Sequence, residues 1–198
     1  VGAERIKNLT IDKSCSIKGG SNVGAIAAVA FADNANNCKV EYCANEAAVT
    51  GKENVGGIVG VLNNISKTVA INYCYNVGTI TAENSSAGLV GALAVTGWKQ
   101  VYFSCCYSVG AMTGSGTQYV RNYTNCYTLN MTQNSTGTGA MPTISFKEED
   151  LASGKLAWLL NDSKDEGIYK QTLGEDAYPN FTGYDVSYSD DKGYYNKT

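Results

Sequence analysis

The stretch INYCYNVGTITA, residues 71–82, decides the fold, because related copies lie before and after it. EYCANEAAVTG occupies residues 41–51, SCCYSVGAMTG occupies residues 104–114, and the degenerate TNCYTLNMT occupies residues 124–132. A glycine-containing phrase precedes each of the first three copies and is missing before the last. The chain therefore contains an internal repeat, which has to be identified before any other feature is interpreted.

The glycine phrase reads VGAIAAVA from Val23, VGGIVGVL from Val55 and SAGLVGAL from Ser86, at offsets of 32 and 31 residues. In the first copy, Ala25 and Ala28 replace the glycines of the second copy. Because alanine is accepted, these positions require a small side chain rather than a positive φ. This indicates a narrow corner at which two stretches of backbone approach closely.

Each repeat holds three apolar pieces of about four to eight residues between turn residues, which is the pattern of short strands. Such a unit cannot bury its own apolar face, whereas stacked units share a continuous core. The sequence predicts a mostly β protein, with a β-solenoid of about three and a half coils and three short strands per coil over residues 1–130. Upstream, Ile17-Lys18-Gly19 aligns with Val49, which puts Ile11 at the position of Cys43 and opens the chain partway through a repeat.

These phrases resemble the GLUG-motif repeats of bacterial cell-surface proteins, which are common in gut Bacteroidetes and Firmicutes and are described as adhesin-like. The resemblance rests on VGGIVG and SAGLVG, each followed by NYCYNVGTITA or SCCYSVGAMTG, and covers residues 1–130. The first copy departs from the pattern at AIAA and EAAVTG. The resemblance implies a β-solenoid, export and surface display, and it implies no reaction and no catalytic residues.

The composition changes after residue 130, where residues 131–143 are polar and predict a connection. Residues 144–198 predict a small α+β cap that covers the last coil, because a solenoid end exposes unpaired strand edge and core. A helix is expected at SFKEEDLASGKLAWLLN, with a capping box from Ser145 to Glu148 and a break at Gly154. Trp158 and the neighbouring leucines are expected to pack against that coil.

Seven cysteines and no CxxC pair argue against a disulfide framework and against a zinc site. Stacking the repeats predicts a column of small buried side chains, with disulfides between coils left as the alternative. Because Ile71 and Cys74 are three residues apart, both can point inward only if the strand bends near Tyr73. The column consists of Cys43, Cys74, Cys106 and Cys126.

The residues after these cysteines form two further predicted columns. Tyr75, Tyr107 and Tyr127, in register with Ala44, are expected to face outward as an exposed aromatic strip that could stack against sugar rings or peptide side chains. They are the candidate ligand-binding residues, and the alternative is that they only cover the turn. A ladder of hydrogen-bonded turn residues is expected next, at Asn45, Asn76, Ser108 and Thr128.

Composition excludes several classes of function. A net charge of −3 without a Lys/Arg run does not indicate a nucleic-acid partner, and no apolar run is long enough to insert into a membrane. The absence of histidine removes the commonest general base and the commonest zinc ligand. We predict no cofactor, no metal and no catalytic residue, and the SDDKG sequence at residues 189–193 lacks the spacing of a calcium loop.

The expected function is that of a surface-displayed, adhesin-like recognition or scaffold module, extracellular and without catalysis. Its partner would be a host or microbial glycan or a surface protein, and further domains are expected upstream. A ligand-free structural spacer is the alternative, and a polysaccharide-acting β-helix enzyme is a further one. The enzyme would need two carboxylates facing each other across a groove, whereas the acidic clusters lie in the tail.

Overall fold

The computed structural model describes residues 5–64, 66–95, 100–114, 123–128 and 147–197. The chain divides into two compact units, a β-solenoid and a C-terminal unit that contains residues 147–197. The fold-class prediction is confirmed, since stacked coils joined by parallel strand pairs form the solenoid. Among the described residues, no helix has the length and apolar character required to cross a membrane.

The strands of the solenoid follow the coils in order. The first coil contains β1 (Arg5–Ile11), β2 (Ser16–Lys18), β3 (Ser21–Gly24) and β4 (Ala27–Ala32). The second contains β5 (Cys38–Asn45), β6 (Ala48–Gly51), β7 (Glu53–Gly56) and β8 (Val59–Asn64). The third contains β9 (Val69–Asn72), β10 (Tyr75–Asn76), β11 (Ile80–Ala82), β12 (Ser86–Ala87) and β13 (Val90–Val95). Then follow β14 (Val101–Ser104), β15 (Tyr107–Ser108), β16 (Met112–Thr113), β17 (Tyr123–Thr124) and β18 (Tyr127–Thr128).

Equivalent strands of successive coils stack into four parallel sheets. Sheet A contains β1, β5, β9, β10, β14, β15, β17 and β18; sheet B contains β2, β6, β11 and β16; sheet C contains β3, β7 and β12; and sheet D contains β4, β8 and β13. The third coil thus has five strands where three were predicted. Bends divide two of the predicted pieces, one at Tyr73 inside NYCYN and one at Gly57 and Ile58 inside VGGIVG.

The register confirms most of the predicted repeat alignment. Val23 pairs with Val55 and Ile17 pairs with Val49, at the predicted offset of 32 residues. The prediction for Ile11 is wrong, because Leu9 is the partner of Cys43 and Ile11 is the partner of Asn45. The first coil is two residues longer here, and a turn in which the N–H of Cys15 donates to the carbonyl of Asp12 takes up the difference.

The apolar core has two parts. The larger part lies between sheets A and D around Ile58, Leu62 and Phe103, and the smaller part lies around Val49, Val55 and Ile80. Sheets C and D approach closely, since a Cβ atom on Gly60 would lie 2.5 Å from the backbone of Asn22. The requirement for small residues at this corner is therefore steric, as predicted.

The C-terminal unit contains two short helices and a hairpin. Helix α1 (Glu148–Ala152) is followed by α2 (Lys155–Leu160), and β19 (Val186–Ser189) pairs antiparallel with β20 (Gly193–Asn196). The predicted break is present at Gly154, whose φ is +88°. The predicted capping box is wrong, because Lys147 is the N-cap residue and its N–H donates to the carboxylate of Asp150. Ser145 and residues 131–143 lie outside the described residues.

Candidate functional site

A left-handed bend in sheet A determines what the cysteines do. One residue per coil adopts a φ between 49° and 58° at this bend, and these residues are Asn8, Tyr42, Tyr73, Cys105 and Asn125. The bend allows Ile71 and Cys74 both to be fully buried, although they are three residues apart. The predicted inward column is confirmed, since Cys43, Cys74 and Cys106 are 0% exposed and Cys126 is 1% exposed.

Each thiol in the column takes part in hydrogen bonds with its own coil and the neighbouring coil. The backbone N–H of Cys74 donates to Sγ of Cys106 at 3.5 Å, and the thiol of Cys106 lies 3.2 Å from the carbonyl oxygen of Ser104. The sulfur therefore satisfies a backbone donor immediately after the bend. Because all seven cysteines are free thiols, the column is held without disulfides.

The electrostatics of the column differ between its ends. Burial is the main cause that raises the pKa of Cys74 and Cys106 well above its ordinary value, while for Cys126 the main cause is the hydrogen bond with the Cys106 thiol. At the other end, the hydrogen bond from the Cys74 side chain lowers the pKa of Cys43 to about 7. All four sulfurs are shielded from solvent, so their chemistry is packing and hydrogen bonding rather than nucleophilic attack.

The prediction that Tyr75, Tyr107 and Tyr127 form an exposed strip is wrong, because they are 2%, 0% and 8% exposed. The rings of Tyr75 and Tyr107 stack with their centroids 5.1 Å apart, so each covers a face of the other. The hydroxyl of Tyr75 lies 3.3 Å from the carboxylate of Glu46. Alternation along the strand gave the side of each ring correctly relative to the cysteine, but that side of the sheet is not open to solvent.

The turn ladder after the tyrosines is confirmed for its described side chains. The amide nitrogen of Asn45 donates to Oδ1 of Asn76 at 2.7 Å, and the amide nitrogen of Asn76 lies 3.4 Å from the hydroxyl of Ser108. Asn45 and Asn76 are both 0% exposed. The side chain of Thr128, the fourth predicted member, lies outside the described residues. A buried amide ladder of this kind fixes the register of the coils, because a slip would leave amides unpaired.

A second tyrosine stack, which the sequence reasoning did not single out, lies at the bend itself. Tyr42 and Tyr73 are half-buried and stack with their centroids 5.1 Å apart and their planes 6° from parallel. Beside them, the buried carboxylate of Glu41 forms an ion pair with Arg5 and accepts a hydrogen bond from Asn72 at 3.1 Å. The 31-residue spacing of the two tyrosines is the sequence signal that could have identified this stack.

The outer faces of the solenoid carry exposed apolar groups in sheets D and A. Val29 and Phe31, two residues apart in β4, are 47% and 37% exposed, and Tyr102 in β14 is 45% exposed. Sheet B differs, because its outer face bears a column of hydroxyl groups from Thr50, Thr81 and Thr113. The solenoid thus presents chemically distinct faces.

The C-terminal unit holds an aromatic cluster, defined here as Trp158, Tyr188 and Tyr194. Its ring centroids are 5.6 Å apart for Trp158 and Tyr188, 5.9 Å for Trp158 and Tyr194, and 4.9 Å for the two tyrosines. Tyr188 is 42% exposed, while Trp158 and Tyr194 are half-buried. Sequence reasoning treated Trp158 as a capping residue and read YDVSYS and GYYN only as short aromatic pieces. The DDKG turn between them was the signal for a hairpin that brings Tyr188 opposite Tyr194.

The acidic residues of this unit form ion pairs and caps. Asp150 lies 3.4 Å from the ammonium group of Lys155, Asp185 lies 2.6 Å from that of Lys170, and the carboxylate of Asp176 accepts a hydrogen bond from the N–H of Thr172. Within the described ranges, no three cysteine or acidic side chains are grouped so that they could hold a metal ion.

Comparison of the chain with protein-family models, with curated proteins and with solved structures found no match.

Proposed function

We propose that the chain is a non-catalytic recognition module of a bacterial cell-surface protein, displayed outside the cell, in which the solenoid supports exposed contact surfaces. The observation that carries the proposal is the presence of large exposed apolar side chains on the outer faces of the solenoid. Val29 and Phe31 lie side by side on one face of β4, and Tyr102 adds an exposed aromatic ring. Grouped exposed apolar residues are a feature of interaction surfaces.

The repeat phrases support the proposed location, because they resemble the GLUG-motif repeats of adhesin-like surface proteins. The partner in this proposal is a host or microbial glycan or a surface protein. A solenoid suits such a partner, since its faces are long and uniform and a large ligand can make several equivalent contacts.

A ligand-free spacer is the second candidate, and a specific observation favours it. The buried ladder of Asn45, Asn76 and Ser108 links consecutive coils by side-chain hydrogen bonds. Together with the parallel backbone pairs, these bonds make a stiff rod, which is the mechanical requirement for a spacer.

A binding screen of the labelled full chain against a glycan array and an array of extracellular proteins tests the proposal. We expect saturable binding to at least one glycan or protein, weakened by Phe31→Ser and unaffected by Asn36→Ser on an exposed turn of the same coil. Absence of saturable binding on both arrays would reject the recognition module and leave the spacer.

A further inference from the structure

The aromatic cluster of the C-terminal unit is only partly closed, although the unit has a complete apolar core. Leu156, Leu160, Tyr169 and Val186 are all 0% exposed. Trp158 and Tyr188 stand outside this core, with Tyr188 42% exposed. The three rings therefore offer apolar surface that the fold leaves accessible.

The cluster is built from two elements that fix its geometry. Tyr188 and Tyr194 are directly opposite each other in the β19–β20 hairpin, and Trp158 projects from α2. The ring planes of Trp158 and Tyr188 are inclined at 46°, and those of Trp158 and Tyr194 at 62°. Tilted rings of this kind form an angular surface, and no ring is hidden by a parallel partner as Tyr107 is in the solenoid.

Polar groups lie at the edge of the cluster. Lys155 and Trp158 are three residues apart on α2 and so share a face of the helix. The ammonium group of Lys155 lies 3.4 Å from the carboxylate of Asp150. Burial, the neighbouring Tyr188 and then the charge of Asp150 raise the pKa of Tyr194, so this carboxylate is close enough to act on the phenol. The site thus combines aromatic faces with a carboxylate, an ammonium group and phenolic hydroxyls.

This combination matches the chemistry of a sugar ring. A pyranose has an apolar face of C–H groups, which stacks on an aromatic ring, and a rim of hydroxyls, which exchange hydrogen bonds with carboxylate and ammonium groups. Residues 144–198 contain six lysines and eleven acidic residues, a net charge of −5. That negative field disfavours sialylated or sulfated sugars. We infer that Trp158, Tyr188 and Tyr194, with Asp150 and Lys155 at their edge, form a binding site for neutral hexopyranose saccharides.

The inference deepens the proposed function, because it names a ligand class and the residues that bind it. Trp158 provides its own reporter, since the chain has only two tryptophans and Trp98→Phe leaves Trp158 as the single one. The probes are lactose, cellobiose and mannobiose as neutral saccharides, with sialyllactose as the anionic counterpart of lactose. Fluorescence titration of the full chain, together with saturation-transfer NMR, measures binding.

We expect a neutral saccharide to shift the Trp158 emission, and Tyr188→Ser to weaken binding about tenfold, the loss of one stacking contact. Tyr184→Ser is the matched control, because Tyr184 is 54% exposed and lies outside the cluster. Equal unfolding midpoints for the two variants would show that the loss is not a folding defect.

Three results would overturn the inference. The first is no response to any neutral probe, the second is binding of sialyllactose as tight as that of lactose, and the third is binding that Tyr188→Ser leaves unchanged. If the chain still binds a partner on the arrays while any of these holds, the recognition module stands and only this site is rejected. A peptide or protein ligand lost in Tyr188→Ser, without saccharide binding, would likewise replace the ligand class.

Discussion

The backbone N–H of Cys74 donates to the sulfur of Cys106 in the next coil at 3.5 Å. The left-handed residue before each cysteine interrupts the regular strand ladder, and the sulfur of the following coil accepts the hydrogen bond that the bend leaves over. Cysteine suits this position because it is small, apolar enough for a core and able both to accept and to donate a weak hydrogen bond.

Replacing Cys106 should therefore cost more than its size suggests. We expect Cys106→Ala to lower the free energy of unfolding by about 2–3 kcal/mol, since it removes buried volume and leaves the N–H of Cys74 unpaired. Urea unfolding followed by circular dichroism measures the change. Cys15→Ala, at an exposed thiol, is the control and should be neutral. Equal stabilities of the two variants would contradict the role assigned to the sulfur.

The amide ladder should show energetic coupling between coils. We expect Asn45→Ala and Asn76→Ala each to destabilise the fold by about 1–3 kcal/mol, because buried amide partners are left unsatisfied. The double mutant should lose less than the sum of the two, which a double-mutant cycle measures. Asn63→Ala, on the half-exposed outer face of β8, should change stability little. Strict additivity of the two buried substitutions would argue against the ladder.

The corner between sheets C and D should not accept a side chain at Gly57. A Cβ atom there would lie 2.2 Å from the carbonyl oxygen of Gly88 and 2.3 Å from Cγ of Asn76. We expect Gly57→Ala to lower stability by about 3 kcal/mol or to prevent folding, because the contacts are with backbone and a buried side chain. Gly20→Ala has open space around its Cβ and is the matched control, expected to fold normally.

The stability of the C-terminal unit should depend on pH through Asp185. Burial alone would raise the pKa of Asp185, but hydrogen bonds from Lys170 and Gly167 outweigh it and hold the pKa below its ordinary value of 3.8. A carboxyl group with a depressed pKa contributes stability above the pKa of the unfolded chain, and this contribution is lost as the pH falls through the folded pKa.

We therefore expect stability to fall below about pH 4, and Asp185→Asn to remove part of that dependence while lowering stability at neutral pH. Thermal unfolding between pH 2 and pH 7 measures both effects. Asp190→Asn, at an exposed residue of the hairpin turn, is the control. A pH profile unchanged by Asp185→Asn would exclude the Lys170 pair as its source.

The cap assignment for residues 144–198 stays a prediction, and truncation tests it. If the segment covers the last coil, a chain ending at residue 143 should associate or aggregate, because strand edges would be exposed. Light scattering of the truncated and full chains compares their sizes. A truncated chain that stays monomeric and keeps its unfolding midpoint would reject the cap.

The repeat spacing was enough to predict the solenoid and the cysteine column. A 31-residue offset brings Cys74 next to Cys43 whatever the local backbone does, so the column depends on arithmetic alone. The bend at Tyr73 could be predicted because Ile71 and Cys74 both needed burial. The number of strands could not, since the bends that divide the apolar pieces depend on contacts between coils rather than on local propensity.

The candidate site was predicted poorly for a physical reason. Alternation places Tyr75 on the side of the strand opposite Cys74, but it does not say whether solvent or protein lies there. In the C-terminal unit, residues 158 and 188 meet through tertiary packing between a helix and a hairpin, and no sequence period links them. The extra two residues of the first coil likewise moved Ile11 out of the predicted position.

The left-handed bend has an evolutionary consequence. Asparagine, tyrosine and cysteine all occupy it, so the geometry is imposed by the neighbouring coil and not by the identity of the residue. A new coil copied from an existing one would meet a template that already dictates its shape. In-frame duplication of 31 or 32 residues should lengthen the rod by about 4.8 Å without any compensating change. The length of such a protein can then vary between relatives as freely as its surface does.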